Sequence, residues 1–256
     1  MRLRRTTFAL AAAATLSLGT TLPAHADRTV RFTLDELNQS GSHATATLTS
    51  RDDGSLHVKI TGSGFTPKSP HAQHIHGSTS GHMFTCPPAS ADKNGDGQVS
   101  TEEGLPQYGD VFVSLTTKGD TSKASGLAVD RMPVADADGN LSYERTIAAS
   151  ALPAGTLDNL QHLHIVQHGL DANGNGKYDA AALGESVFAR SLGVKGIPEE
   201  ATNPATCGEV AAMGGVETGT GSTAGVEHAG LLALGGIALL GGATAFLARR
   251  RIRVEA

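Results

Sequence analysis

Six of the chain's eleven histidines fall in two short apolar runs, HAQHIHG at 71–77 and HLHIVQHG at 162–169. A neutral imidazole carries a lone pair that suits copper or zinc, and two such runs facing one cavity would build a transition-metal site. In a strand successive side chains alternate faces, so His74 and His76 share one side and Ile75 takes the other. By the same count His162, His164 and His168 share a face opposite Leu163 and Ile165. The plainer alternative is a set of packed, hydrogen-bonded histidines with no metal.

A second chemistry lies between the two runs. Residues 92–103 read DKNGDGQVSTEE, which meets every specified position of the calcium-loop pattern D-x-[DN]-x-[DN]-G-x5-E: Asp92, Asn94, Asp96, Gly97 and Glu103. A hard cation takes oxygen ligands, Gly97 permits the sharp turn, and Glu103 can bind through both carboxylate oxygens. Gln98 would add its carbonyl and Ser100 a water-mediated contact. Pro87 and Pro88 before the loop, and Gly104 and Pro106 after it, predict an EF-hand-like loop without paired helices, whose role is to rigidify the segment. A merely solvated acidic loop is the alternative. A second stretch, DANGNGKYD at 171–179, supplies Asp171, Asn173, Asn175, Gly176 and Asp179, but its twelfth position is Ala182. Glu185 would substitute only in a longer loop, and a Gly- and Asn-rich hairpin turn fits as well.

The elements that must position these groups are short strands. β-rich or alternating runs recur at 29–34, 44–49, 55–62, 72–77, 110–116, 141–147, 162–168 and 186–192, separated by turn signals such as Asp52-Asp53-Gly54 and Asp138-Gly139-Asn140. The pattern predicts an all-β domain over 27–207, an antiparallel barrel or sandwich, with no long helix. The stretch 77–109 has little strand pattern, and loops of that length are usually functional or disordered.

The termini speak to compartment. Residues 1–26 combine Arg2, Arg4 and Arg5, an apolar run and Ala24-His25-Ala26, the form of an export signal. Residues 208–228 are a Gly- and Thr-rich linker, 229–248 are twenty uncharged residues that predict a transmembrane helix, and 249–256 form a basic tail expected to stay cytoplasmic. The folded part then faces outward, at the cell membrane or wall surface. The segment order is similar to Gram-positive sorting signals, though without an LPxTG motif. Residues 27–228 hold 13 Lys and Arg against 24 Asp and Glu, a formal charge of −11 that repels nucleic acid and attracts cations. Two cysteines, Cys86 and Cys207, in an oxidising compartment favour one disulfide; a metal–thiolate pair is the rival.

Taken with their surroundings, these residues resemble a family. HAQHIHG is similar to the strand of copper/zinc superoxide dismutases that supplies two copper ligands through an H-x-H pair, and to the H-I-H-G of related chordin-repeat domains. Cys86, ten residues after His76, and ATCGEV around Cys207 resemble the family's two disulfide segments. VADADGNLSYERTI resembles its turn-and-strand A-D-x-x-G-x-x-x, and IVQHGLDANG its V-V-H followed by an acidic loop. The matches keep the family's order over most of 40–207. The resemblance implies a Greek-key barrel, a Cys86–Cys207 disulfide and a copper site of His74, His76 and His168, with His82, His162 and His164 as further candidates.

Two features of the sequence depart from the family. No histidine occurs between Cys86 and His162, where the family places its bridging histidine and zinc ligands, and the calcium loop fills that stretch instead. Pro204 stands where the family has an arginine that guides superoxide. Three classes follow: a surface-anchored metal-binding protein holding calcium and copper or zinc; an active copper-dependent superoxide dismutase; or a structural or adhesive domain without a transition metal. The expected partners are metal ions and, through the C-terminal helix, a membrane; nucleic acid is not among them.

Overall fold

The computed structural model describes residues 27–210. The expected signal at 1–26, linker residues 211–228, the apolar helix at 229–248 and the basic tail at 249–256 lie outside the described residues. Among the described residues no helix is long and apolar enough to cross a membrane.

Eight strands form one antiparallel sheet among these residues: β1 Arg28–Glu36, β2 His43–Ser50, β3 Leu56–Ser63, β4 Gln73–His76, β5 Val111–Ser114, β6 Leu141–Ile147, β7 His164–His168 and β8 Pro204–Val210. Their order is β5-β4-β7-β8-β1-β2-β3-β6. In β1, β2, β3 and β6 apolar and polar residues alternate, so Val30, Phe32 and Leu34 are buried while Arg31 and Thr33 face solvent. That alternation is the signature of a sheet with one dry and one wet face. The sheet curls, and residues from both of its ends, such as Val58 and Val113, pack into a single core.

At β4 and β7 every residue is buried. Their inner face gives Ile75 and Ile165 to the shared core. On the outer side a second cluster of Tyr108, Val166 and Cys207, flanked by Leu37, Cys86 and Leu105, lies beneath the long connections. A disulfide between Cys86 and Cys207 ties the first connection to β8, as the sequence leads one to expect. The histidine strands are therefore roofed by chain rather than by water.

Four sequence expectations change. The run at 186–192 is not a strand: Val187–Ser191 is a short helix, α2. The Ser186 hydroxyl accepts from the Ala189 N–H and starts the helix, and Gly193, with φ of 81°, follows its end. His162 is not in a strand either, because Leu157–His162 is a 3-10 turn and β7 begins at His164. The calcium-like loop does run into a helix, α1 Thr101–Tyr108, despite Gly104 and Pro106. A capping box between Ser100 and Glu103 holds its start, and a Cβ on Gly104 would lie 2.5 Å from the Tyr108 ring, so glycine there lets the ring fold back on the helix. Finally, β8 carries Gly208 to Val210, which the sequence assigns to the linker, into the sheet between β7 and β1.

Candidate metal centre

His74 and His76 project from the outer face of β4, and β7 runs antiparallel beside it with His74 opposite Val166 and His76 opposite His164. His168, at the far end of β7, turns back over the same face, its ring centroid 5.2 Å from that of His74 and 6.0 Å from that of His76. One ring nitrogen from each of the three lies within 4.8 Å of the others. All three residues are almost wholly buried.

Their hydrogen bonds fix which nitrogen is free. His74 Nε2 donates to the Gly126 carbonyl at 2.9 Å, His76 Nδ1 to the Gly109 carbonyl at 2.9 Å, and His168 Nδ1 to the Thr202 carbonyl at 2.6 Å. A carbonyl only accepts, so each bonded nitrogen carries the proton and the other keeps a lone pair. Those remaining atoms, His74 Nδ1, His76 Nε2 and His168 Nε2, are buried without any hydrogen-bond partner. Leaving a buried polar atom unpaired costs about 1–3 kcal/mol. Three such atoms gathered together, each on a ring held from behind by a backbone carbonyl, match the outer-shell pattern of metal-ligating histidines.

The protonation state agrees. Burial, reinforced by the neighbouring imidazoles, holds His74 well below the ordinary histidine range and His76 down to about 3. Burial also lowers His168 to about 4, against the pull of its bond to Thr202. All three imidazoles are neutral at pH 7. An ion about 2.1 Å from each nitrogen in a tetrahedral set asks for nitrogen separations of about 3.4 Å, so the donors fit a small transition metal after a modest inward adjustment from the present span.

Access is through an apolar wall. A cleft of about 740 Å³ reaches His74 between Leu105, Val111, Leu127 and Phe188. The same four side chains border a pocket of about 20 Å³ lined by all three histidines. The cleft's one lysine, Lys123, is paired with Asp110 at the rim.

The other histidines of the two runs, and His82, stand apart from the triad. His164 lies beside His76 but turns Nε2 to within 3.9 Å of a Glu209 carboxylate oxygen. His162 is within 3.2 Å of the Gln161 side-chain amide, and His82 packs on Phe84. His71 is buried between Phe65 and Tyr178 and reaches the His168 carbonyl at 3.0 Å, bracing the strand end that carries His168.

The two acidic loops share one hydrogen-bond plan. In 92–103, Asp92 accepts from Gly97 N at 2.9 Å, Asn94 from Asp96 N at 2.8 Å and Asp96 from Gln98 N at 2.8 Å. Glu103 closes the ring by accepting from Lys93, Asn94 and Ser100 N–H groups. Burial works to raise its carboxyl, but these donors outweigh it and hold it below the usual range. In 171–179, Asp171 accepts from Gly176 N, Asn173 from Asn175 N and Asn175 from Lys177 N, the same offsets. The closing carboxylate comes from elsewhere in the chain. Glu200, fully buried, accepts from Ala172 N at 3.0 Å and Asp179 N at 2.7 Å, the loop positions equivalent to Lys93 and Ser100. Glu185 instead accepts from Gly196 N and takes no part among these contacts. A search of the loop's own twelfth position misses Glu200, and no spacing within the loop points to the turn Glu199–Ala201 that supplies it.

Compared with known proteins, the chain matches no family model and no curated protein.

Proposed function

We propose that this is a metal-binding module of an exported, surface-anchored protein, holding copper or zinc at His74, His76 and His168 and calcium in the loops at 92–103 and 171–179. One observation carries the reading: three buried imidazoles, each tethered through one nitrogen to a backbone carbonyl, gather three nitrogens that have no partner. A domain that kept these histidines only for packing would pair both nitrogens or fill the space with apolar side chains. The curled antiparallel sheet, the Cys86–Cys207 bridge and the H-x-H strand beside His168 favour a Greek-key barrel like that of copper/zinc superoxide dismutases. The acidic charge of 27–228 suits cation capture and disfavours nucleic acid.

Calcium would be held by Asp92, Asn94, Asp96 and Glu103, with Gln98 and Ser100 completing the first loop, and by Asp171, Asn173, Asn175, Asp179 and Glu200 in the second. Asp92, Asp171 and Glu200 accept one N–H per carboxylate oxygen and keep a second lone pair for a cation, whereas each Glu103 oxygen already accepts two donors, one of which a cation would replace. The two ions serve structure, because each loop feeds a segment that roofs the histidines.

An active superoxide dismutase is the second reading, favoured by the cleft that reaches His74. Copper, when bound, would supply a redox couple, while the chain's own residues hold the three rings in one tautomer and keep bulk water from them. The cleft's apolar wall and its neutralised Lys123 offer an anion little attraction, so metal binding is the better supported role.

The test uses the metal-stripped full-length chain titrated with copper(II). Nitrogen couplings in the electron paramagnetic resonance spectrum, lost when His76 and His168 become leucine, are the expected result; an unchanged spectrum in that variant overturns the site. A copper-loaded chain that leaves superoxide decay unaltered removes the dismutase reading while keeping the binding one.

A further inference from the structure

The helix that leaves the first calcium loop also ends on the histidine triad. Ser100 and Glu103, two loop positions, form the capping box of α1. One residue into the helix, Thr101 Oγ1 donates to the Thr202 carbonyl at 2.5 Å. That same carbonyl accepts from His168 Nδ1 at 2.6 Å. At the other end, Gly109 caps α1 and its carbonyl accepts from His76 Nδ1. The Tyr108 ring sits 4.7 Å from the His76 ring, and its hydroxyl reaches back to the Thr101 carbonyl at 3.1 Å. Two of the three proposed ligands are thus oriented by acceptors that α1 either carries or holds.

The helix has little intrinsic strength. It spans eight residues and contains both Gly104 and Pro106, the two weakest helix formers, and so short a helix depends on its cap and its packing. Glu103 is at once the third helical residue of the capping box and the carboxylate that gathers Lys93 and Asn94. A cation on Glu103 would fix the start of α1 and with it the placement of Thr101. A further carboxylate lies within electrostatic reach of this loop and of the start of α1. Glu199, only 8 % exposed, has an Oε1 without a donor, and its carboxyl is raised first by burial and then by the charges of Glu102 and Asp96.

We infer that α1 couples the two metal sites: calcium in the loop at 92–103 preorganises His76 and His168, with Thr101 as the positioning residue, so each metal tightens the binding of the other. This rests on the proposed reading of both sites. Linkage requires the effect to be reciprocal, and couplings of this kind usually amount to factors of about 5 to 150.

The experiment is calorimetric titration of zinc into the metal-stripped full-length chain, in calcium-depleted buffer and in saturating calcium, with the reverse titration of calcium with and without zinc. Calcium is expected to lower the zinc dissociation constant by about tenfold, and zinc to lower that of calcium by the same factor. Thr101→Val should still bind both metals with most of the coupling gone, and Thr101→Ser, which keeps the hydroxyl, should restore it. Heats showing that both metals bind, with affinities independent of each other, overturn the inference alone. Absence of a calcium heat overturns the calcium reading, absence of a zinc heat overturns the triad, and either result takes the inference with it.

Discussion

Acidifying the metal-free protein from pH 7 to pH 5 should destabilise it through the triad. An unfolded histidine titrates near pH 6.5, whereas burial holds His168 at about 4 and His76 at about 3. Between those limits the unfolded chain takes up protons that the folded protein refuses, so stability falls as pH falls. Treated independently, each of these two histidines contributes a loss of about 2 kcal/mol by pH 5, together about 4 kcal/mol. That is a large share of the roughly 5–15 kcal/mol that keeps a domain folded. The lowered carboxylates, such as Asp136 and Asp179, stay charged through this window because their carboxyls lie below the ordinary aspartate range. Urea unfolding of the metal-stripped full-length chain at pH 7, 6 and 5 gives the slope. The same series on His76→Leu with His168→Leu isolates these two residues, because His71, His74 and His164, which burial also lowers, are kept in both proteins. The wild-type chain should lose about 4 kcal/mol more than the variant over the two units. Parallel pH profiles for the two proteins would refute the reasoning.

Glu200→Gln should reduce calcium stoichiometry from two ions to one while leaving the loop at 92–103 competent, as read by calorimetry; two retained ions would show that Glu200 is not the missing carboxylate. Replacing Cys86 and Cys207 together by alanine opens a loop with a sequence separation of 121 and should cost about 4–5 kcal/mol of unfolding free energy. A loss below about 1 kcal/mol would mean that the bridge does not constrain the unfolded chain as the loop-entropy argument requires.

The parts of this molecule legible in its sequence are those governed by short-range periodicity. The alternation of TVRFTL and SLHVKITG announces strands with one buried face, and H-x-H places His74 and His76 on one side because the strand repeat is two residues. The complete match at 92–103 is local for the same reason: Asp92, Asn94 and Asp96 accept from N–H groups two to five residues along the chain. What stays hidden depends on distant chain. Nothing near His168 announces that Thr202 will orient it, nor near His76 that Gly109 will. Glu200 reaches the loop at 171–179 from a separate turn, so no spacing rule finds it. The helix at Val187–Ser191 hides behind a β-branched and aromatic pair, while its real determinants are the Ser186 cap and Gly193. β8 hides because Pro204 and Gly208 weaken its strand pattern. Gly208 is needed there because a Cβ would come within 2.8 Å of the Leu34 side chain and the Thr33 carbonyl.

The most direct test of the central claim is metal content. The full-length chain, stripped and then loaded with copper or zinc in excess calcium and desalted, is analysed beside a variant with His74, His76 and His168 all changed to leucine, whose fold is checked by its calcium binding. One equivalent of transition metal per wild-type chain and none in the variant is the expected result. Equal metal content in the two proteins, or none in the wild type, would contradict it.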